Sequence, residues 1–461
     1  MTSAPDRATF EERRGRGRSL RSETPRLSLA VLSERPDGYD AVARLQEQAA
    51  TRVPELLPLR YQRMLESPLA FFRGAALLMA DDLARGDSTA LEVQICGDAH
   101  LSNFGIFSSP ERQMVFDVND FDETEVGPFE WDVKRLVASL VIASQLLGHT
   151  ARQQETIALR AAREYRSSMA RFAAQTRLEV WYATLNLDAV VQDLRGFFSD
   201  GARRKIDDVV RHAKGEDSLQ AFAKVLVYGD HGPTIATDPP HFTGLDGGGG
   251  SPISASDVFD IVAGYGKTLS SDRQVLLKQF SARDVARHVV GVGSVGTECF
   301  AVLLIGRDEH DPFLLQIKEA QSSVVTVARA LDEPLEPGDR VVRGQRLMQA
   351  TPDAFLGWDT VQLGGRRRSF YVRQLYDNKA SVDVERLDES LLVVYGRLCA
   401  WTLARAHARS GRGAEIAGYL GKGDRVDESM AAFALAYRDR NQDDYEALKG
   451  EVERGGITVA S

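Results

Sequence analysis

The chain has 461 residues, 43% of them hydrophobic and 27% charged, the composition of an ordinary globular protein; collagen-like, coiled-coil and wholly disordered chains are excluded. Its length suits two or three domains, or one large two-lobed enzyme. A net charge of -9, from 57 basic and 66 acidic side chains, argues against nucleic acid as a partner.

Along the chain, the basic first residues lead into no apolar segment, so no signal peptide is expected. The apolar stretch from Leu136 to Leu147 is broken by Ser139, Ser144 and Gln145 and is too short to span a bilayer. The expectation is a cytoplasmic protein with no membrane partner. Cys96, Cys299 and Cys399 lie far apart without a CxxC, which fits a reducing compartment and no structural zinc. Residues 1 to about 40 read as a mobile arm, and residues 41–86 as helical. A strand, ALEVQI, runs into Gly97–Gly105, and a second strand covers 113–121. Helical spacing begins at Trp131 and is expected to reach about residue 230, with an irregular patch near Trp181. Residues 237–252, rich in Gly and Pro, read as a linker. Strand-like segments follow over 285–318 and 369–379, and helix returns from Leu387. The four tryptophans, Trp131, Trp181, Trp358 and Trp401, read as core or interface residues.

Three constellations carry chemistry. In GDAHLSNFG, Asp98 precedes Asn103 by five residues. Phosphoryl transfer needs a carboxylate to orient a hydroxyl, and a neutral oxygen ligand beside a second carboxylate to hold magnesium. A capped turn would use the same residue types. In FDVNDFDET, Asp117, Asp120, Asp122 and Glu123 crowd together and require a cation or basic groups. If the strand persists, Asp120 and Asp122 share a face; a solvated acidic turn is the plainer alternative. The third is Gly291-Val292-Gly293-Ser294-Val295-Gly296. A dinucleotide loop would open a helix, but here strand-like ECFAVLLIG follows. A glycine loop between antiparallel strands is how a kinase covers ATP phosphates, and Lys318 stands on the next strand. A glycine turn with a snorkelling lysine would also account for this pattern.

GDAHLSNFG resembles the GDLHxxN catalytic loop of aminoglycoside phosphotransferases and choline kinases, members of the protein-kinase-like superfamily. DFDETEVGPFEWDVKRL resembles their metal segment, which makes Asp120 the metal-binding Asp and Asp132 the buried Asp that starts the next helix. Most of the chain also resembles a bacterial domain-of-unknown-function family marked by GDAHxxNFG and FDxNDFDET, which brings no established activity.

The order departs from a kinase, because the catalytic loop precedes the glycine loop. Kinases of this type carry LAxLH just before the catalytic loop, and LARAHARSG stands at 403–411. The resemblance therefore implies a circularly permuted, two-lobed α+β kinase-like fold with a mainly antiparallel β lobe and a larger helical lobe. The parts would be an arm with helices (1–89), a helical part with the catalytic and metal loops (90–236), the linker (237–252), a β-rich nucleotide-binding part (253–386) and helices completing the helical lobe (387–461). ATP and magnesium are the implied cofactors, and an unknown small-molecule or protein hydroxyl is the implied acceptor. Asp98 would orient the hydroxyl, Asn103, Asp120 and Asp122 would hold magnesium, and Lys318 would hold phosphates beneath Gly291, Gly293, Ser294 and Gly296. A kinase pairs its strand lysine with a helix Glu, but RVVRGQRLMQ offers only Gln345 and Gln349. His100 is expected to orient the loop and His407 to be packed and hydrogen-bonded. Nucleotidyl transfer, a metal-dependent phosphohydrolase and a non-catalytic nucleotide-binding scaffold remain alternatives.

Overall fold

The computed structural model describes residues 8–186, 225–230, 232–245, 253–289, 291–293, 295–375 and 382–460. The chain is a mixed α+β protein with antiparallel sheets. Helices α1 (Phe10–Ser19), α2 (Ala41–Ala49), α3 (Leu57–Met64), α4 (Pro68–Gly74) and α5 (Ala76–Arg85) come first. The four short strands β1 (Glu92–Ile95), β2 (Phe104–Ser108), β3 (Met114–Val118) and β4 (Glu125–Pro128) carry the acidic loops between them. β1 pairs with β4 and β2 with β3, both antiparallel. Helices α6 (Phe129–Leu146), α7 (Ala151–Ala174) and α8 (Arg177–Tyr182) follow.

After the short strands β5 (Leu185–Asn186), β6 (Leu226–Gly229) and β7 (Gly232–Ile235), the long sheet is built from β8 (Phe242–Gly244), β9 (Ser281–His288), β10 (Cys299–Ile305), β11 (Pro312–Ala320), β12 (Gly357–Leu363) and β13 (Arg366–Gln374). Its order is β12-β13-β11-β10-β9-β8. β10 and β11 read as nearly continuous apolar runs because both their faces are covered. One face packs Phe300, Val302 and Leu315 against helix α9 (Ala255–Tyr265); the other packs Ala301, Leu303 and Leu314 against Leu226 and Ile235. Helix α10 (Ser271–Leu277) precedes β9, and α11 (Val324–Arg329) and α12 (Pro337–Met348) lie between β11 and β12. The chain ends with α13 (Glu389–His407), α14 (Gly413–Leu420) and α15 (Arg425–Glu453). These pack with α6 and α7 into the largest apolar core. Among the described residues no helix is long and apolar enough to cross a membrane.

Four expectations are corrected. The first 40 residues are not a free arm over their described part. Thr9 and Glu12 form a capping box that starts α1, and α1 packs against α14. Gly17 sits so close to Glu415 that a Cβ would lie 1.8 Å from its carbonyl oxygen. The segment 237–252 is not wholly a linker, because Phe242–Gly244 joins the long sheet beside β9 and the Phe242 ring stacks on His288 at 4.4 Å; residues 246–252 lie outside the described ones. Helix does not continue to 230, since 226–229 and 232–235 form a hairpin; residues 187–224 lie outside the described ones. Trp181 is 42% exposed rather than core, with the Arg409 guanidinium 3.9 Å above its ring.

Candidate active site

The GDAH turn is fixed from beneath. Asp132, in the first turn of α6 and 1% exposed, accepts from the backbone N–H groups of Cys96 at 2.8 Å and Gly97 at 2.9 Å. His407, at the end of α13, donates from Nε2 to the same carboxylate at 3.1 Å, and its Nδ1 accepts from the Tyr165 hydroxyl at 2.7 Å. Gly97 has φ +76°, and a Cβ there would meet the Glu123 carbonyl oxygen at 2.1 Å, so the GDAH turn and the acidic loop touch backbone to backbone. Asn103 Nδ2 donates to the Asp98 carbonyl at 2.7 Å, which leaves the Asn103 side-chain oxygen available. Asp98 Oδ1 accepts from Arg135 Nε at 2.8 Å. Burial raises the Asp98 carboxyl above its ordinary value against the pull of Arg135. His100 is buried, and burial, with Arg73 and Arg135 nearby, holds its imidazole well below the usual range; a neutral ring suits an orienting role.

The acidic segment separates into distinct roles. Asp117 is structural: Arg405 donates to Oδ1 at 2.5 Å and the Ala350 N–H to Oδ2 at 2.9 Å. The strand ends at Val118, so Asp120 and Asp122 share no strand face, contrary to expectation. They meet at Lys318 instead. Lys318 Nζ lies 2.5 Å from Asp122 Oδ2 and 3.9 Å from Asp120 Oδ1, and the Tyr371 hydroxyl donates to Asp122 Oδ1 at 2.5 Å. Tyr371 stands opposite Lys318 on the neighbouring strand. Burial alone would raise the Asp122 carboxyl, but Lys318 and the Tyr371 hydroxyl hold it below the usual range. Burial and the charge of Asp122 push Asp120 up. Burial would lower Lys318, but the two carboxylates raise it. Burial also lifts Glu123 to about 7, although its carboxylate accepts the Val324 N–H at 2.7 Å.

Lys318 is thus paired chiefly with Asp122, both of whose carboxylate oxygens are engaged. The helix expected to supply that Glu contributes Arg340, which donates to the carbonyls of Asp122 at 2.9 Å, Gln321 at 2.8 Å and Thr124. Arg373 on β13 and Gln349 hold the carbonyls of Asn119 at 3.0 Å and Val118 at 2.6 Å. These clamps join the long sheet to the acidic loop, and nothing in the motif spacing points to them.

The glycine loop connects the antiparallel pair β9 and β10. Its carbonyls are taken by the N-terminal helices. Arg63 donates to Gly291 at 2.6 Å, Arg60 to Gly293 at 2.7 Å, and Arg52 to Gly293 at 2.8 Å and Val295 at 2.6 Å, while the Val53 N–H reaches Gly296 at 2.7 Å. Ser294 lies outside the described residues. A cleft of about 920 Å³ opens between this loop and the acidic segment, lined among others by Asp98, Asn103, Asp120, Asp122 and Gly293. That volume suits a nucleotide-sized ligand. The oxygen-only donors Asn103 and Asp120 suit a hard cation such as magnesium. No group of three or more His, Cys, Asp or Glu side chains able to hold a metal occurs among the described residues.

No curated protein and no solved structure matches the chain. The family model described as uncharacterized protein conserved in bacteria (DUF2252) matches residues 52–451, a span that holds both acidic loops, the glycine loop and Lys318. The chain belongs to this bacterial family.

Proposed function

We propose that the chain is an ATP- and magnesium-dependent transferase with a circularly permuted kinase-like fold, moving a phosphoryl or nucleotidyl group to a hydroxyl of a small molecule or protein. The observation that carries this reading is the meeting of Lys318 with Asp122, 196 residues away in the chain, and with Asp120. Around it, a glycine loop between antiparallel strands, a lysine on the third strand and a helix after it support a nucleotide-binding lobe. The segment around residues 407–410 lies beside the strand entering Gly97, which supports the permuted order: His407 reaches Asp132, the acceptor of the Gly97 N–H, and the Ser410 hydroxyl accepts the Gln94 N–H of β1 at 3.1 Å.

In this reading Arg135 fixes Asp98 so that its second oxygen, 3.7 Å from His100 Nε2, orients the acceptor hydroxyl. Asn103 and Asp120 would hold magnesium, which when bound supplies charge compensation for the phosphates. Asp122, which lines the cleft, keeps Lys318 charged beside it, where the ammonium would bind phosphate oxygens. Catalysis rests on positioning and electrostatics. The scaffold reading has one observation in its favour, the ion pair that engages Asp98 with Arg135. Among the described residues the phosphohydrolase reading finds no cluster of three or more His, Cys, Asp or Glu side chains to hold two metals.

The test is incubation with γ-labelled and α-labelled ATP plus magnesium, scoring autolabelling and a metabolite panel. Asp98→Asn should keep ATP binding and lower transfer by roughly 10² to 10⁴. Full transfer by a folded Asp98→Asn protein would remove Asp98 from the mechanism. Wild-type protein that binds ATP and transfers nothing would favour the scaffold.

A further inference from the structure

The cleft has a positive wall that the acidic loops do not neutralise. Arg44 is paired with Asp81 and Glu47, Arg367 with Glu336, and Arg368 with Glu319. Arg135 serves Asp98, and Lys318 serves Asp120 and Asp122. Arg73, on α4, lines the same cleft and makes no hydrogen bond or ion pair with any described residue; its Nε is buried without a partner. Arg52, also on this wall, uses Nη1 for two loop carbonyls, and its Nε too is buried and unpartnered.

A buried guanidinium nitrogen without an acceptor is rare in a folded protein and calls for a missing oxyanion or water. The position of Arg73 narrows the choice. Arg73 lines the same cleft as Asp98, Asn103 and Asp120; burial lowers its guanidinium, with Asp98, Glu66 and Asp120 pulling the other way. Asp98 and Asp120 already have Arg135 and Lys318, which leaves the charge of Arg73 for a ligand. A planar guanidinium with a fork of N–H donors matches the oxygens of phosphate better than any neutral group. Arg366 also lacks a partner among the described residues, but it is exposed at the turn between β12 and β13 and is solvated there.

We propose that Arg73 is an oxyanion-binding residue of this cleft, holding a phosphate-class group against the Asp98–Asn103 turn. The inference deepens the transferase reading and rests on it for the identity of the anion's source. That source is either the terminal phosphate of the nucleotide or an anionic group carried by the acceptor.

The test measures binding by calorimetry to wild type, Arg73→Gln and Arg73→Lys, with inorganic phosphate, MgADP and MgATP as separate probes. Inorganic phosphate should bind wild type, and Arg73→Gln should weaken it at least tenfold. Arg73→Lys, which keeps the charge but loses the fork, should fall between them. A tenfold loss for MgATP with MgADP unchanged assigns the anion to the terminal phosphate of the nucleotide. Unchanged affinity for both nucleotides, with phosphate binding lost, assigns it to the acceptor. Because the Arg73 side chain makes no hydrogen bond or ion pair with any described residue, Arg73→Gln should melt close to the wild-type temperature, whereas an arginine that holds the fold together would lower it. Wild type that binds no inorganic phosphate, or equal phosphate affinity in wild type and Arg73→Gln, overturns the proposal. The phosphate arm contains no nucleotide, so a failure of MgATP to bind would count against the transferase reading alone.

Discussion

Replacing Lys318 with Met removes the ammonium while keeping a straight apolar stem of similar length, so the packing beside Cys299 and Tyr371 is largely preserved. What remains is Asp122 with only the Tyr371 hydroxyl, next to Asp120. Breaking a fully buried ion pair costs about 3–5 kcal/mol, and an exposed pair about 0–1 kcal/mol. The lysine side chain is 2% exposed, but those of Asp120 and Asp122 are 33% and 29% exposed, so water reaches the carboxylates in part. The expected loss is about 2 kcal/mol at pH 8 without divalent cations. The sign of the pH dependence follows from the shifts. Asp122, held low by Lys318, contributes stability that is present above its unfolded value and lost as pH falls through its folded one. Lys318, raised by the carboxylates, contributes stability that is full below its unfolded value and lost as pH rises through its folded one. Without the lysine both carboxyls rise, so acid protonates them early and relieves the variant. Denaturant melts at pH 8 and pH 5 should show a smaller deficit at pH 5, and millimolar magnesium at pH 8 should recover part of it by binding the folded state. A variant as stable as wild type at pH 8, or one with the same deficit at both pH values, would refute this reasoning.

Two further outcomes follow from the same site. Asp132→Ala should cost about 3 kcal/mol, because it strips acceptors from the Cys96 and Gly97 amides and from His407 in a dry interior; a loss below about 1 kcal/mol would show that the turn holds itself. Glu123 has its carboxyl raised to about 7, so its share of stability is full in acid and falls as pH rises from its unfolded value of about 4.3 toward 7. Glu123→Gln should flatten that slope and be at least as stable as wild type at pH 8, and an unchanged slope between pH 5 and 8 would contradict the assignment.

The parts of this protein that could be read from sequence are those where residue type and period coincide: β10 and β11 announce themselves as apolar runs and α6 by its helical spacing, while Lys318, Asp120 and Asp122, singled out by residue type, are brought together by the fold. The docking of α1 could not be read, because FEERRGRGRS has no apolar stripe. Its contact runs through glycines: Gly17 against the backbone of Glu415, and Gly418, whose Cβ would lie 2.2 Å from the Arg14 carbonyl oxygen. Hydrophobic periodicity does not register backbone-to-backbone approach. The clamps formed by Arg52, Arg60, Arg340 and Arg373 were invisible for a related reason. An arginine bonding carbonyls looks in sequence like any solvated charge, and only the fold reveals that it is buried. The partner of Lys318 is not a Glu on the following helix but Asp122, whose residue type in an acidic segment reads equally as a metal ligand.

Calorimetric titration of MgATP into wild type and Asp120→Asn probes the cleft between the glycine loop and the acidic segment. Wild type should bind one equivalent with an affinity that depends on magnesium, and Asp120→Asn should lose that dependence while staying folded. No heat and no shift in melting temperature at millimolar MgATP, in a wild-type protein whose fold is intact, would contradict a nucleotide site in this cleft.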